Sequence, residues 1–449
     1  MKGGTVILLK KLSVTEKVSL LQRRIYFKAK RESEFRFYTL YDKTSLEYVL
    51  LEAYRRVKEA DGSKGIDNVD FTDIEEIGIG NYLGEIQKEL RNQTYKPAPV
   101  LRVLIPKDGG GKQFRKLSIP SIRDRIVQTA VKIAIEPIFE SDFLDFSYGF
   151  RPKRSTGDAI TEVRSNLYHG YAYVLDADIS AYFDTIPHDN LMKLLGKRIS
   201  DTSILNILKL WLKCPVMEKD GLKASKLGAA QGSSISPLLS NIYLHVLDKI
   251  INNPKGFYKH YDIKMVRYAD DFILMSKKPL NQVMKRLSDT LGKMGLRLNT
   301  QKSKVLNSYK ESFCFVGFEV RCLPSKFKGT KRDYYFNIRP SPKSRKKLYL
   351  KIREYLRYRG HWNRYKMTAG LNKILLGWLN NFSISRITYI WDTVKALKEH
   401  LGYKLYKWFK EKSQRAGKFF RQRTYEKMVK YGNLLDIEKY AKLKHNAKA

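Results

Sequence analysis

The chain has 449 residues, 43% hydrophobic and 12% aromatic, enough to bury a sizeable core and to exclude disorder as the default. Its 86 Lys and Arg against 45 Asp and Glu leave a net charge of +41, which points to a polyanionic partner, most often nucleic acid. Three cysteines with no CxxC pair argue against a disulfide scaffold and a structural zinc site, and predict a reducing, cytoplasmic setting.

In chain order, the apolar piece TVILL is too short for a signal peptide and runs into Lys10 and Lys11. No stretch approaches the roughly 20 apolar residues of a membrane span, so no membrane partner is expected. Residues 1–45 are basic and helical in pattern and lead into SLEYVLLEAYRRVKEA, after which DGSKGIDNVD breaks the period with turn residues. Residues 95–120 predict a hairpin, PVLRVLIP and RKLSIP joined by KDGGGKQ. A helix follows in SIRDRIVQTAVKIAIEPIF with Ser121 as its N-cap. YAYVLDADISAYFDTIPHD predicts a strand running into a loop, with helices continuing through Trp211. VRYADDFILMS comes next, then a helix over 280–294 and a strand near SFCFVGFEV. From about Pro340 the pattern turns helical. Leu348, Ile352, Tyr355 and Leu356 share one face, and Leu371, Ile374, Leu375, Trp378, Leu379 and Phe382 share another. Residues 341–449 carry 28 Lys and Arg against 7 Asp and Glu, half of the net charge in a quarter of the chain. An α/β body thus carries a helical, strongly basic C-terminal domain.

The pair Asp270–Asp271 sits inside the apolar run MVRYADDFILM. Strand alternation would send the two carboxylates to opposite faces, so the pair predicts a tight hairpin tip flanked by two strands. Carboxylates held at such a tip need compensation, and a hard divalent cation such as Mg²⁺ supplies it. By itself a paired aspartate is more often a solvated turn. A second acidic strand end lies upstream, where Val174 and Leu175 precede Asp176 and Asp178. Neighbouring strands of one sheet would bring Asp178 to the pair, the arrangement of two-metal phosphoryl transfer. Asp176 reads as a structural or solvent-facing residue.

These residues resemble the reverse transcriptases. RYADDF is similar to their Tyr-X-Asp-Asp motif, DADISAYFD to their first catalytic aspartate motif, and AQGSSISPLLSNIYL to their Gln-Gly-X-X-X-Ser-Pro segment. SYGFRPKRST and RKLSIPSIRDRIVQ resemble the bacterial group II intron type, the intron-encoded reverse transcriptase/maturases. LNKILLGWLNNF and the helices after it extend the likeness into the maturase, or thumb, domain. The resemblance implies an α+β right-hand polymerase. Its fingers and palm, with an antiparallel sheet, would span 48–330, followed by a helical thumb/maturase domain at 331–449 and preceded by a basic N-terminal helical extension at 1–47. It also implies an RNA-directed DNA polymerase that works on an RNA template, with a group II intron RNA as one candidate, and with a DNA or RNA primer and dNTPs.

The resemblance further implies roles for single residues. Asp178, Asp270 and Asp271 form the metal triad for two Mg²⁺ ions, with Mn²⁺ as a possible substitute. Asp178 and Asp270 bridge both ions, and Ile179 offers a backbone carbonyl. Phe183 matches the ring that collides with a 2′-hydroxyl and selects dNTPs, with the neighbouring Tyr182 as the alternative. Lys107 and Arg115 match the residues that clamp the triphosphate, across a Gly109–Gly110–Gly111 turn that is not a P-loop. Gln231 and Gly232 match the contact to dNTP and template, although Ala230 and Ser233 stand where the family usually has Pro and Gly. Lys302 matches a lysine near the pyrophosphate. Arg151 and Arg154 serve either the template strand or a structural ion pair. His188 and Asp189 after Pro187 read as a helix start. Tyr403, Tyr406, Trp408, Phe419 and Phe420 among Lys and Arg suit RNA, and some of them are core. No His-Asn-His nuclease motif follows the thumb pattern, so primers or nicks would come from elsewhere. A domesticated relative in phage defence or DNA repair, and a splicing chaperone, are the alternative readings.

Overall fold

The computed structural model describes residues 12–106, 114–218, 220–224, 227–325, 333–412 and 421–446. They form two compact units. One comprises Met1–Lys153, Asp178–His260 and Gln282–Lys302, and the other Arg154–Ala177, Tyr261–Asn281 and Ser303–Ala449. This division interleaves along the chain and does not fall at the sequence boundaries 47/48 and 330/331.

The first unit is organised around helix α1 (Ile122–Glu140), which is almost wholly buried, its polar Asp124, Arg125, Gln128 and Glu136 included. The Ser121 hydroxyl caps it by accepting the Asp124 N–H at 3.0 Å, as the sequence predicts. Two helices pack on it: α2 (Val14–Arg31), begun by a Ser13/Glu16 capping box, and α3 (Glu47–Glu59). At the end of α2, Arg198 donates to the carbonyls of Ala29 at 2.9 Å and Glu32 at 3.1 Å, and its Nε lies 3.1 Å from the Asp142 carboxylate. That guanidinium satisfies carbonyls the helix cannot satisfy itself. Residues 14–31, within the segment read as an N-terminal extension, pack in this unit.

A four-stranded sheet in the order β2–β1–β4–β5 completes the first unit. β1 (Val100–Pro106) and β2 (Phe114–Ile119) form the expected antiparallel hairpin, in register from Leu101 opposite Ile119 to Pro106 opposite Phe114. The hairpin's connecting residues, with Lys107 and Gly109 to Gly111, lie outside the described residues. β4 (Val216–Glu218) runs parallel to β1, and β5 (Gly221–Lys223) returns antiparallel at the edge.

The second unit holds an antiparallel sheet in the order β6–β7–β3–β8. Its strands are β3 (Tyr173–Ala177), β6 (Lys264–Tyr268), β7 (Asp271–Ser276) and β8 (Lys304–Asn307). Phe272 to Met275 are all fully buried, so β7 is covered on both faces. That explains its continuous apolar run where alternation was absent. A three-stranded antiparallel sheet over 313–340 leads into the basic helices. In α4 (Pro342–Arg357) and α5 (Arg364–Phe382) the predicted faces are buried through Leu348, Ile352 and Leu356, and through Leu371, Leu375, Leu379 and Phe382. α6 (Trp391–Lys412) adds Leu397, Leu401 and Leu405 to that core. Among the described residues, no helix is long and apolar enough to cross a membrane.

Candidate active site

The acidic run is two strands, as its sequence requires. β6 ends at Tyr268, which pairs with Asp271, the first residue of β7, leaving Ala269–Asp270 as the two-residue turn. Ala269 has φ 59°, a left-handed conformation that costs a Cβ-bearing residue about 1 kcal/mol. The buried Arg267 holds this turn by donating from Nη1 to the Ala269 carbonyl at 3.0 Å. Asp270 is half-buried and Asp271 exposed.

β3 pairs with β7 so that Ala177 lies opposite Phe272. Asp178 is the next residue after Ala177, and Asp271 the one before Phe272. Asp176, by contrast, lies opposite Lys304 within the sheet.

Past the strand, residues 178–180 run antiparallel to 297–299. The Asn299 N–H donates to the Asp178 carbonyl at 2.8 Å, and the Ser180 N–H to the Arg297 carbonyl at 2.9 Å. Ile179, bridged to Leu298 between those bonds, keeps its own N–H and C=O out of that pairing. Asn299 Nδ2 donates to Asp178 Oδ2 at 3.0 Å, and Lys302 Nζ stands 3.7 Å from the same oxygen. One carboxylate oxygen is therefore fixed by an amide and a cation.

Phe183 lies on the one-turn helix α7 (Tyr182–Thr185), entered through Ala181 at φ 46°. Tyr182 is buried and donates its hydroxyl to the Ser240 carbonyl at 2.7 Å, whereas Phe183 is half-buried. Gln231 and Gly232 meet the hairpin strand β2. The Gln231 carbonyl accepts the Ser118 N–H at 2.6 Å, and Gly232 has φ 110°. A Cβ on Gly232 would stand 2.4 Å from the Ser118 carbonyl oxygen, so only glycine fits this approach. Ser233 donates its hydroxyl to Gln128 Oε1 at 2.9 Å, and the Ser234 N–H reaches the same oxygen at 3.1 Å. Arg115 is exposed on β2, two residues from Leu117, whose Cδ1 would stand 3.0 Å from that added Cβ. Alternation puts Arg115 on the Leu117 face, the one turned to Gly232.

Comparison with known proteins agrees with this geometry. Residues 105–320 match the family model described as reverse transcriptase (RNA-dependent DNA polymerase). Protein YkfC of Escherichia coli K12 is 33% identical over 339 residues, which cover 68% of this chain and 88% of YkfC. The chain belongs to the reverse transcriptases, in their group II intron-type branch. It is 31% identical over 335 residues to the putative COX1/OXI3 intron 2 protein of Saccharomyces cerevisiae, covering 62% of this chain. It is 34% identical over 227 residues to the group II intron-encoded protein LtrA of Lactococcus lactis, covering 51% of this chain. The matched parts span 38% and 36% of those two longer proteins.

As a reverse transcriptase the chain is an RNA-directed DNA polymerase that uses a nucleic-acid template and primer, and its family works with divalent metal ions. Among the described residues, no three His, Cys, Asp or Glu side chains come together as a metal cluster. The donors at the two strand ends are nonetheless all carboxylate oxygens, the hard set such ions prefer.

Other site residues resolve locally. Arg151 is buried, with Nε and Nη2 on Glu140 and Nη1 on the carbonyls of Leu144 and Ser147 at 2.6 and 2.7 Å. That is the ion-pair alternative for Arg151. Arg154 is half-buried, just before the Ser155 cap of the helix Thr156–Tyr168. His188 does begin a helix, but it is buried and its Nε2 lies 2.7 Å from the Gly228 carbonyl. In the C-terminal helices Trp408 is core, whereas Tyr403 is 55% exposed with Lys404 and Lys407 against its ring. Phe419 and Phe420 lie outside the described residues. Sequence reading missed Arg267, Asn299 and Arg198, because their partners are set by tertiary neighbours rather than by any local pattern.

Proposed function

We propose that this reverse transcriptase extends a DNA or RNA primer on an RNA template with dNTPs, that Asp178, Asp270 and Asp271 hold two Mg²⁺ ions replaceable by Mn²⁺, and that the basic C-terminal helices bind a structured intron RNA in a maturase role. The observation that supports the reading is the β3–β7 pairing up to Ala177 opposite Phe272, with Asp178 next after β3 in the sequence and Asp270–Asp271 at the β6–β7 turn. Metal ions held by these carboxylates would supply activation of the primer's 3′-hydroxyl and neutralisation of the leaving pyrophosphate.

The chain's own residues then have distinct tasks. Asn299 keeps the Asp178 carboxylate in one orientation, and Ile179 has a carbonyl free of the 297–299 pairing to turn toward the ions. Lys302, 3.7 Å from Asp178 Oδ2, gives a proton to the departing pyrophosphate in this reading. Arg115 and Lys107 neutralise the triphosphate, and Phe183 excludes the 2′-hydroxyl. Gln231 and Gly232 present backbone to the incoming base and template, and Arg154 serves the template phosphates. For the C-terminal helices the support is a net +21 over residues 341–449, together with relatives named as intron-encoded proteins. The three free cysteines fit the reducing cytoplasm in which such an enzyme would meet new transcripts.

Primer extension tests the reading. With a DNA primer annealed to an RNA template, dNTPs and Mg²⁺, the purified chain should make full-length DNA. Chelation should stop synthesis, and added Mg²⁺ should restart it. Extension that continues through chelation would remove the ions from the account.

A further inference from the structure

The turn that carries Phe183 is held from one side by a segment that no part of the reaction yet explains. Ala229 donates its N–H to the Phe183 carbonyl at 2.7 Å, and Gly228 donates to the Ile186 carbonyl at 2.9 Å. Gly228 has φ 89°, and a Cβ built on it would stand 2.7 Å from the Phe183 oxygen and 2.9 Å from Asp184 Cα. Both the conformation and the space require glycine. Gly228 is itself pinned, because its carbonyl lies 2.7 Å from Nε2 of His188, which is buried. A carbonyl only accepts, so Nε2 carries the hydrogen and His188 is the donor.

The Phe183 ring also meets the ring of the buried Tyr182 edge-on, at 5.5 Å between centroids. Tyr182 anchors the start of the turn through Ser240. Phe183 and Asp184 border a cavity of about 40 Å³ whose lining is polar at Arg102 and Ser118 and apolar at Trp211, Leu212 and Val216. Its Ser118 hydroxyl has no hydrogen-bond partner among the described residues, and Arg102 Nε faces Glu218 at 3.8 Å, so this part of the lining suits water. The backbone bonds from residues 228 and 229 tie the turn to that segment at Phe183 and at Ile186. Three residues further on, Gln231 grips β2. One short segment thus touches both the sugar-selecting turn and the hairpin that covers the nucleotide.

We infer that Gly228 and His188 are positioning residues for sugar selection: His188 fixes the Gly228 carbonyl, and the 228–229 backbone fixes the height of the Phe183 ring against the nucleotide's 2′ position. The inference rests on the proposed role of Phe183. Exclusion of a single hydroxyl is a contact of a few tenths of an ångström, so a small displacement of the ring weakens it without removing the ring.

The experiment measures incorporation efficiency for dATP and for ATP opposite the same template uridine, for the wild type and for Phe183→Ala, Gly228→Ala, His188→Leu and His188→Gln. The dATP/ATP ratio of each preparation does not depend on its active fraction, so a partly unfolded variant still reports. Phe183→Ala should lower the ratio most. Gly228→Ala and His188→Leu should lower it about three- to tenfold, the scale of one hydrogen bond. His188→Gln keeps a donor at the Nε2 position and should retain the wild-type ratio. Unchanged ratios in both Gly228→Ala and His188→Leu, with the ratio lowered in Phe183→Ala, would overturn the inference, as would a loss in His188→Gln equal to that in His188→Leu. An unchanged ratio in Phe183→Ala would instead overturn the gate on which it rests.

Discussion

At the residue scale, the site depends on positions where only one side chain satisfies the backbone. Gly232 is one. An alanine there would put Cβ 2.4 Å from the Ser118 carbonyl, in a left-handed conformation as well. We expect Gly232→Ala to cost about 1–3 kcal/mol of stability by overpacking and strain, and to weaken dNTP binding, because the Gln231–Ser118 bond must shift with it. Urea unfolding and the KM for dNTP check both effects, and a variant with normal KM would show that the approach to β2 is not a nucleotide contact. Arg267 works by a different cause. It is a charged side chain with no exposure, and its bond to Ala269 holds an L-residue in a left-handed turn so that Asp270 stands at the tip. The strain and its restraint lie next to the proposed chemistry, where such features concentrate.

At the element scale, α2 and α3 are tied together by a buried carboxylate. Glu52 accepts from Arg55 at 2.9 Å, from Arg56 at 2.8 Å and from the Thr15 hydroxyl at 3.2 Å. The bond to Arg55 is the largest influence, and with Arg56 it outweighs burial to hold the carboxyl at about 2, below its ordinary 4.5. Because the folded value is the lower one, the group stabilises the fold fully above pH 4.5, and that contribution is lost as pH falls toward 2. It amounts to at most about 3 kcal/mol, reduced by solvent around the half-exposed arginines. Glu52→Gln should therefore flatten the fall in denaturant midpoint between pH 5 and pH 2.5, and an unchanged slope would mean that other carboxylates set it.

The elements themselves were largely legible. Local signals suffice for the 95–120 hairpin, the Ser121 cap, the two strands of RYADDF and the apolar faces of α4 and α5, since turn residues and periodicity encode them within a dozen positions. What was not legible lies in contacts across the chain. Asn299 reaches Asp178 over 121 residues, and Arg198 reaches Ala29 over 169, with no pattern in either segment to announce it. The same limit applies to His188, whose helix-start context is visible while its bond to Gly228, 40 residues on, is not. The two compact units are not legible either, because the chain passes between them several times, which no shift of composition marks.

At the scale of the whole molecule, charge is the dominant property. A net +41, half of it within residues 341–449, predicts that RNA affinity falls steeply with salt, because bound phosphates release condensed counterions. A titration of RNA binding between 50 and 300 mM KCl (about the usual working range) should give a strongly negative log–log slope, shallower once residues 341–449 lose a cluster of lysines. A flat response would mean that the basic helices are not the RNA surface. The central claim is narrower: the carboxylates at the β3 and β7 ends carry the polymerisation. Asp270→Asn keeps the size and the turn but removes the charge. Single-nucleotide incorporation on an RNA template, with RNA affinity measured on the same preparation, tests it. The account predicts incorporation reduced at least about a thousandfold with RNA affinity within about twofold of wild type. Incorporation by Asp270→Asn at a rate near wild type would contradict it.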